Sequence, residues 1–255
     1  MLIVIDPTAR RTDGESVRIA KDVLCAGASV VKVCVLDQPQ AMKRVLARRG
    51  SHRVVIVGDD RTLLAALALL LRDGDGAGPG VGGGPLAMVP VGPVPLLAVA
   101  RTLGVPTDPV AASRAVLRGG ERRVDLLLDD AGGVVPGPLG IPSRRPRLWQ
   151  RGTRPGRHRL RVEADGRVLA DLDRPVAGVS VRPADGLAEV VVRPCGSQAA
   201  DVRVRVRSVT VSGAAFSYRA GAVDLGPTEA RTWTVRPKAL RLTVPAPAAE
   251  GALSG

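Results

Sequence analysis

The sequence of 255 residues has few aromatic side chains, with Phe, Trp and Tyr making up only 2% of it. Proteins that bind single-stranded nucleic acid by base stacking need several aromatic residues on one face, so the composition argues strongly against that class. Two histidines, His52 and His158, are too few for a histidine-rich metal site. The three cysteines, Cys25, Cys34 and Cys195, lack metal-binding or redox spacing and predict reduced thiols.

Long apolar runs are also missing from the sequence. The longest clean run, Leu63–Leu71, is far shorter than the roughly 20 residues that a membrane-spanning helix needs. The first residues, MLIVIDPTARR, do not have the pattern of a secretory signal. We therefore expect a cytoplasmic protein, and peripheral contact with a membrane surface stays open.

Lysine is scarce, yet the formal net charge is +13 because arginine is abundant. Residues 1–140 carry 17 basic and 14 acidic side chains, whereas residues 141–255 carry 20 basic and 10 acidic ones. A field of this sign favours anionic partners such as phosphates, anionic lipid or nucleic acid. The alternative is that the arginines reflect a general composition rich in Ala, Gly, Val, Pro and Arg.

The first half alternates short apolar runs with helical apolar periodicity, which predicts βαβ units and a mainly parallel sheet. Ligands of such sheets bind beyond the carboxyl ends of the strands. The predicted strands are Leu2–Ile5, Val30–Leu36, Arg53–Val57, Leu86–Pro90 and Arg123–Leu128. The predicted helices are Gly14–Gly27, Pro39–Arg49, Thr62–Arg72, Pro95–Leu103 and Pro109–Leu117.

The second half consists of short segments in which apolar and polar residues alternate, separated by turns such as Asp165-Gly166 and Asp185-Gly186. In DVRVRVR, residues 201–207, three valines alternate with three arginines, as in a strand with one buried face. The alternation changes phase at Ser208, which predicts a bulge or a strand break there. We expect an all-β, sandwich-like domain. The predicted strands are Arg159–Glu163, Arg167–Leu172, Val176–Val181, Ala188–Arg193, Asp201–Arg207, Val209–Gly213, Thr232–Arg236 and Leu240–Val244.

These patterns predict an α/β domain over residues 1–135 and a β domain over residues 159–245. Between them, residues 136–158 are rich in Pro, Gly and Arg and are typical of a linker. Residues 246–255 predict a frayed tail. The glycine-rich stretch 73–85 predicts a flexible loop, and it is not a phosphate-binding P-loop because no Gly-Lys-Ser/Thr follows it.

The sharpest local motif is VVIVGDDRTLLAAL, residues 54–67, in which a buried strand runs into a Gly-Asp-Asp turn and then a helix. The amino end of a helix in this position suits a phosphate group. Thr62 is a candidate for the helix N-cap, and Asp60 could contact a hydroxyl, a ribose or a hydrated metal ion. The alternative is that the polar residues cap the helix and do nothing more. A second strand-glycine-helix turn, VPVGPVPLL at 89–97, is weaker because proline removes N–H donors.

Residues 2–128 resemble the catalytic domain of the bacterial diacylglycerol-kinase-like lipid kinases, within the larger group of NAD-kinase-like proteins. The resemblance is carried by several segments in the expected order. They are Asp6-Pro7-Thr8-Ala9-Arg10 against Asn-Pro-x-Ser-Gly, residues 58–62 against Gly-Gly-Asp-Gly-Thr, residues 90–95 against Pro-x-Gly-Thr-x-Asn, and Ala100-Arg101-Thr102-Leu103-Gly104-Val105-Pro106. In the second half, Gly186–Arg193 and Val235–Pro245 resemble further strands of the family.

The resemblance implies ATP-dependent phosphoryl transfer to a lipid or small-molecule hydroxyl, with ATP and Mg²⁺ as cofactors. It implies that Asp60 is the best candidate for a catalytic role. The residues implied in nucleotide binding are Asp6, Thr8, Arg11, Gly58, Asp60, Arg61, Thr62 and Gly92. No residues that bind a metal directly are predicted.

The sequence departs from the family motifs at positions that matter for this chemistry. Asp59 and Arg61 replace glycines, and Pro93 and Pro95 replace Thr and Asn. The family's late Asp-Gly-Glu turn, whose acid assists catalysis, is matched only by Ala220-Gly221-Ala222; Asp224 and Glu229 lie nearby in the sequence. Phosphoryl transfer needs bridged phosphates and a group that orients the acceptor. A catalytically inactive pseudokinase that binds nucleotide or acts as an interaction module is therefore the alternative.

A third hypothesis is a basic module for anionic membrane or nucleic acid. It depends on the segment Arg144–Arg161, which holds eight arginines but one aromatic residue and no amphipathic period. A solvated loop explains this segment as well, and nucleic acid is the less favoured partner. A homodimer through the β half is compatible with the sequence.

Overall fold

A computed structural model describes residues 1–72, 84–142, 157–196 and 200–246. Most of the predicted glycine-rich loop, most of the Arg144–Arg161 segment and most of the predicted tail lie outside these residues. None of the helices in the described ranges is long and apolar enough to cross a membrane.

Four short apolar strands form a parallel sheet in the first part of the chain. They are β1 (Leu2–Ile5), β2 (Lys32–Val35), β3 (Val54–Gly58) and β4 (Ala87–Pro90), in the order β2-β1-β3-β4. Strands β1, β3 and β4 are buried along their whole length, as expected for a parallel sheet covered by helices on both faces. Strand β2 is an edge strand with mostly exposed residues.

Helices cover both faces of this sheet. They are α1 (Pro7–Thr12), α2 (Gly14–Gly27), α3 (Ala41–Ala47), α4 (Asp60–Arg72), α5 (Ala98–Thr102) and α6 (Pro109–Arg118), with a 3₁₀ turn at Val94–Leu97 before α5. Alternate strand residues face opposite sides, so Ile3 and Val55 pack with α2 and α6, whereas Val4 and Ile56 pack with α3 and α4. Helix α1 is a feature that the sequence analysis missed.

Most of the described residues after Arg118 form a ten-stranded antiparallel sheet. Its strands are β5 (Gly120–Asp129), β6 (Val134–Val135), β7 (Leu139–Ile141), β8 (Leu160–Ala164), β9 (Arg167–Ala170), β10 (Val176–Ala184), β11 (Leu187–Pro194), β12 (Val202–Val206), β13 (Ser208–Ala220) and β14 (Val223–Val244). The main order is β12-β11-β10-β7-β13-β14-β5-β6. Residues 209–213 of β13 pair with β8 and residues 219–220 pair with β7, so the sheet divides into two branches that share one apolar core. The α/β and all-β classes predicted from the sequence are confirmed.

Several sequence-based details need correction. The segment around Arg123–Leu128 is not a strand of the parallel sheet, because β5 pairs antiparallel with β14. The predicted linker 136–158 includes β7, a paired strand, and sheet membership changes at Gly120 instead of Pro136. The strands predicted at 232–236 and 240–244 are one strand, β14, with an irregularity in register between Arg236 and Leu240. The break at Ser208 is confirmed, since β12 ends and β13 begins beside it.

The last strand connects the two sheets. Leu242 of β14 forms a parallel bridge with Leu86, which leads into β4. Leu240 and Leu242 are fully buried in the same apolar cluster as Leu63 and Leu67 of α4. The carboxyl-terminal strand therefore completes the core of the α/β part, which ties the hairpin β13–β14 to the end of the parallel sheet.

Candidate functional site

The predicted site lies where β1, β3 and β4 end at one edge of the parallel sheet. We call the three carboxylates at this edge, Asp6, Asp59 and Asp60, the carboxylate edge. The Asp6 amide donates a hydrogen bond of 2.9 Å to the Val57 carbonyl, which joins the end of β1 to β3. The Val91 amide donates one of 2.9 Å to the Gly58 carbonyl, which joins the end of β4 to β3. The structure therefore brings together the two turns that the sequence analysis singled out separately.

Close packing explains the two glycines of these turns. A Cβ on Gly58 would lie 2.9 Å from the Thr62 hydroxyl oxygen and 3.0 Å from the Asp6 Cβ, so a side chain has no room there. Gly92 has a φ of +145°, and a Cβ on it would lie 3.3 Å from the Asp59 Cβ. Gly58 thus lies against Thr62 and Asp6, and Gly92 lies against Asp59.

Asp59 caps helix α4 with its carboxylate. Its Oδ1 accepts hydrogen bonds from the Arg61 amide at 3.0 Å, the Thr62 amide at 3.1 Å and the Thr62 hydroxyl at 3.2 Å. The prediction that Thr62 is the N-cap is therefore wrong, because the helix begins at Asp60 and the preceding carboxylate makes the cap. The amides that a phosphate would use at this helix end already have an internal acceptor.

Asp6 serves helix α1 in the same manner. Its Oδ2 accepts a hydrogen bond of 2.9 Å from the Ala9 amide. Thr8 and Arg11 are exposed on this six-residue helix, where an Arg11 guanidinium nitrogen donates to the Thr8 hydroxyl at 3.4 Å. These two predicted ligand-binding residues therefore lie at the rim of the edge, outside its packed interior.

Asp60, the predicted catalytic candidate, is completely buried. Its two carboxylate oxygens accept hydrogen bonds from the Val99 amide at 2.8 Å and the Ala100 amide at 3.0 Å. It therefore joins the first turn of α4 to the start of α5. Burial raises the pKa of Asp60 above its usual range and the nearby Asp59 raises it further, while the backbone donors act in the opposite direction.

The hairpin turn between β13 and β14 closes over Asp60. A Cβ on Gly221 would lie 3.4 Å from an Asp60 carboxylate oxygen and 2.8 Å from a Val99 methyl group, and the φ of Gly221 is +60°. The structure therefore brings the turn at Gly221 against the Gly-Asp-Asp motif. The residues that flank the turn glycine, Ala220 and Ala222, have no ionisable group. Asp224 is exposed.

Sequence reasoning could not assign these roles. The Gly58-Asp59-Asp60 motif holds two adjacent carboxylates, and only the fold shows that one caps α4 and the other holds α5. The approach of Gly221 joins residues about 160 positions apart, so no local pattern reports it. A usable signal was the single glycine between two stretches of alternating apolar residues, which is typical of a hairpin turn.

Within the described part of the chain, the site is acidic inside and basic at its rim. The three carboxylates are buried, whereas Arg11 and Arg61 are exposed. Among the residues that the structure describes, no group of three or more His, Cys, Asp and Glu side chains is arranged to hold a metal ion. Pro93 and Pro95 also lack the N–H donors that the turn after β4 would otherwise offer. As they stand, these residues do not fit a polyphosphate with its bound Mg²⁺ ion.

The fold has known counterparts. Three solved structures of a diacylglycerol kinase from Bacillus anthracis str. Sterne superimpose on 95% of this chain and on 94% to 96% of their own chains, with TM-scores of 0.72 to 0.73. Two of the three carry the kinase assignment only provisionally. Sequence identity is 13% to 14%, so the likeness shows the fold. The resemblance predicted from the sequence is confirmed at that level.

Sequence comparisons add no further relative. No protein-family model matches the chain, and no curated protein matches it.

Proposed function

We propose that this chain is a lipid-kinase-fold protein that does not transfer phosphoryl groups and that works as a binding module. The observation that carries the proposal is that Asp59 already occupies the Arg61 and Thr62 amides at the start of α4. A nucleotide phosphate would have to displace a negatively charged internal cap and then lie beside it. Both steps oppose binding, because like charges at short range repel.

Two further observations support this proposal. The carboxylate of Asp60 is engaged by two backbone amides and covered by the β13–β14 turn, so it does not face an open space where an acceptor hydroxyl could lie. The late turn offers alanine where the lipid kinases carry an acid. Among the residues that the structure describes, neither Asp60 nor the late turn therefore offers a group that could orient or deprotonate the acceptor.

An active lipid kinase is the second candidate function. The convergence of Asp6, Asp59, Gly92 and the Gly221 turn at one edge favours it, because ligands of open α/β sheets bind at such edges. In that case Mg²⁺ and ATP would be the cofactors, and a lipid such as diacylglycerol would be the acceptor. Cytoplasmic localisation, contact with an anionic membrane surface and a homodimer stay predictions under either function.

The test restores the missing glycine. Asp59→Gly removes the internal acceptor from the Arg61 and Thr62 amides, and we expect ATP to raise the melting temperature of this variant but not that of the native protein. A ligand at ten times its Kd stabilises by about 1.4 kcal/mol, which corresponds to a shift of roughly 3–5 °C for a chain of this size. The measurement is a thermal-shift series with ATP, ADP and NAD, each with and without Mg²⁺.

Asp108→Gly is the matched control. Asp108 caps helix α6 by accepting from the Ala111 amide at 2.7 Å, so the change removes an equivalent cap away from the carboxylate edge. It should lower stability like Asp59→Gly without creating a response to nucleotide. The proposal fails if the native protein turns over diacylglycerol with Mg-ATP and if Asp60→Asn abolishes that turnover while the variant remains folded.

A further inference from the structure

A groove lies between the edge strand β2 and helix α3. Its volume is about 350 Å³, within the usual range for small-molecule sites. Leu2 and Lys32 line it where β1 and β2 begin, and Leu36 and Asp37 line it where β2 ends. It therefore runs along the face of the edge strand and is separate from the carboxylate edge.

One side of the groove is a single face of helix α3. The α3 residues that line it are Ala41, Arg44 and Val45, and Arg48 follows directly at the helix end. These four positions have the spacing of one helical stripe, i, i+3, i+4 and i+7. The other side is β2, from which Lys32 and Cys34 line the groove.

Positive charge dominates this lining. Lys32, Arg44, Arg48 and Arg49 face the groove together with His52, and Asp37 is the one carboxylate among the lining residues. None of the ion pairs found in residues 1–72, 84–142, 157–196 and 200–246 includes one of the four cations. Uncompensated like charges around one cavity raise its affinity for an anion.

Some arginines elsewhere in the molecule do have an acidic partner. Arg18 pairs with Glu15 at 2.7 Å, and Arg241 pairs with Glu121 at 2.6 Å. Attraction to the negative carboxyl end of α3 explains the position of the Arg49 guanidinium, which donates to the Leu46 carbonyl at 3.0 Å. It does not account for Lys32, which comes from the strand, so the clustering is a property of the groove.

We propose that the β2–α3 groove binds a phosphomonoester, with Lys32, Arg44 and Arg48 as its cationic ligands. Two guanidinium groups one helical turn apart suit a doubly charged phosphate, because guanidinium forms bidentate hydrogen bonds with phosphate oxygens. The apolar side chains of Leu2, Leu36 and Val45 offer a surface for the carbon skeleton of the ester. This site does not depend on the function proposed for the carboxylate edge.

The test is calorimetric titration of the full chain with glycerol 3-phosphate at low salt. Arg44→Gln and Arg48→Gln keep helix propensity and most of the side-chain stem, and we expect each to weaken binding about tenfold. Lys43→Gln is the matched control, because Lys43 is exposed on the same helix and does not line the groove. It should change the Kd less than twofold.

Vesicles separate the two sources of such a ligand. Flotation with phosphatidylcholine vesicles containing phosphatidic acid, a lipid phosphomonoester, tests a headgroup, and the same vesicles with phosphatidylglycerol test anionic charge alone. If the protein binds phosphatidic acid vesicles and Arg48→Gln abolishes this binding, the result supports a lipid ligand. If glycerol 3-phosphate binds in the titration, the result supports a soluble ligand. Absence of binding to both phosphomonoesters, equal binding to phosphatidylglycerol, or an equal loss in Lys43→Gln would overturn the proposal.

Discussion

The carboxylate edge and the β2–α3 groove belong to the same four-stranded sheet and use charge in opposite ways. At the edge, Asp6, Asp59 and Asp60 each accept a hydrogen bond from a backbone amide, so their charges are compensated within the fold. In the groove, Lys32 and Arg48 have no ion-pair partner among the described residues. A charge that the fold already compensates holds structure, whereas one that it leaves uncompensated is available for a ligand.

The largest effect is expected at Asp60. Asp60→Ala leaves the buried Val99 and Ala100 amides without their acceptor, and we expect the free energy of unfolding to fall by about 3 kcal/mol. The measurement is urea denaturation of the native protein and the variant. This prediction tests the comparison directly, because replacing a residue that serves ligand chemistry would lower the free energy of unfolding only slightly.

Asp108→Ala supplies the reference value. Asp108 makes one hydrogen bond to the exposed start of α6, and its loss should cost about 1 kcal/mol. If Asp60→Ala unfolds at the same urea concentration as the native protein, Asp60 has no structural role and the distinction between the two regions is wrong.

The sequence predicted the fold well where the pattern is local. The buried strands of the parallel sheet and helices α2, α4 and α6 follow from apolar runs and helical periodicity. It failed at β5, because a single apolar strand after a helix has the same residue pattern whether its partner strand is parallel or antiparallel. Only the long-range pairing with β14, more than a hundred residues away, decides the sheet to which β5 belongs.

The sequence analysis named the residues of the candidate site but not the contacts that they make. The glycine turns at 58 and 92 were singled out separately, and the structure places both at the carboxyl ends of the neighbouring strands β3 and β4. Whether Asp59 or Asp60 caps α4 depends on the residue at which the helix begins after β3, and a shift of one residue decides it. The basic groove had no sequence motif at all, since Lys32 and Arg48 meet only when β2 packs beside α3.

A smaller effect is expected at Tyr218, where the same rule applies inside the antiparallel sheet. Its hydroxyl donates to Asp129 at 2.9 Å, and Asp129 also accepts from the Ala131 and Gly133 amides. Tyr218→Phe should lower the free energy of unfolding by about 1 kcal/mol at pH 8. Urea titration measures this loss, and an unchanged midpoint would show that a compensated carboxylate need not be structural.

The same pair has a signed pH dependence. Burial and the hydrogen bond to Asp129 raise the pKa of Tyr218 above its ordinary value of about 10. The stabilisation from Tyr218 is therefore complete below about pH 10 and is lost as the pH rises toward the folded-state pKa. The difference in unfolding free energy between the native protein and Tyr218→Phe should stay constant up to about pH 10 and shrink above it, and a difference that grows above pH 10 would contradict the assignment.

The smallest effect on stability is expected in the groove. Arg44 and Arg48 are like charges four residues apart on one helical face, a spacing that opposes helix formation by a few tenths of a kcal/mol. The double change of Arg44→Gln and Arg48→Gln should therefore leave the free energy of unfolding within about 0.5 kcal/mol of the native value, or raise it slightly. Urea denaturation at low and high salt measures this, and any gain should disappear at high salt because the repulsion is screened. A loss of more than 1 kcal/mol would mean that these arginines hold the fold, as the aspartates of the carboxylate edge do, and the two regions would then differ only in sign of charge.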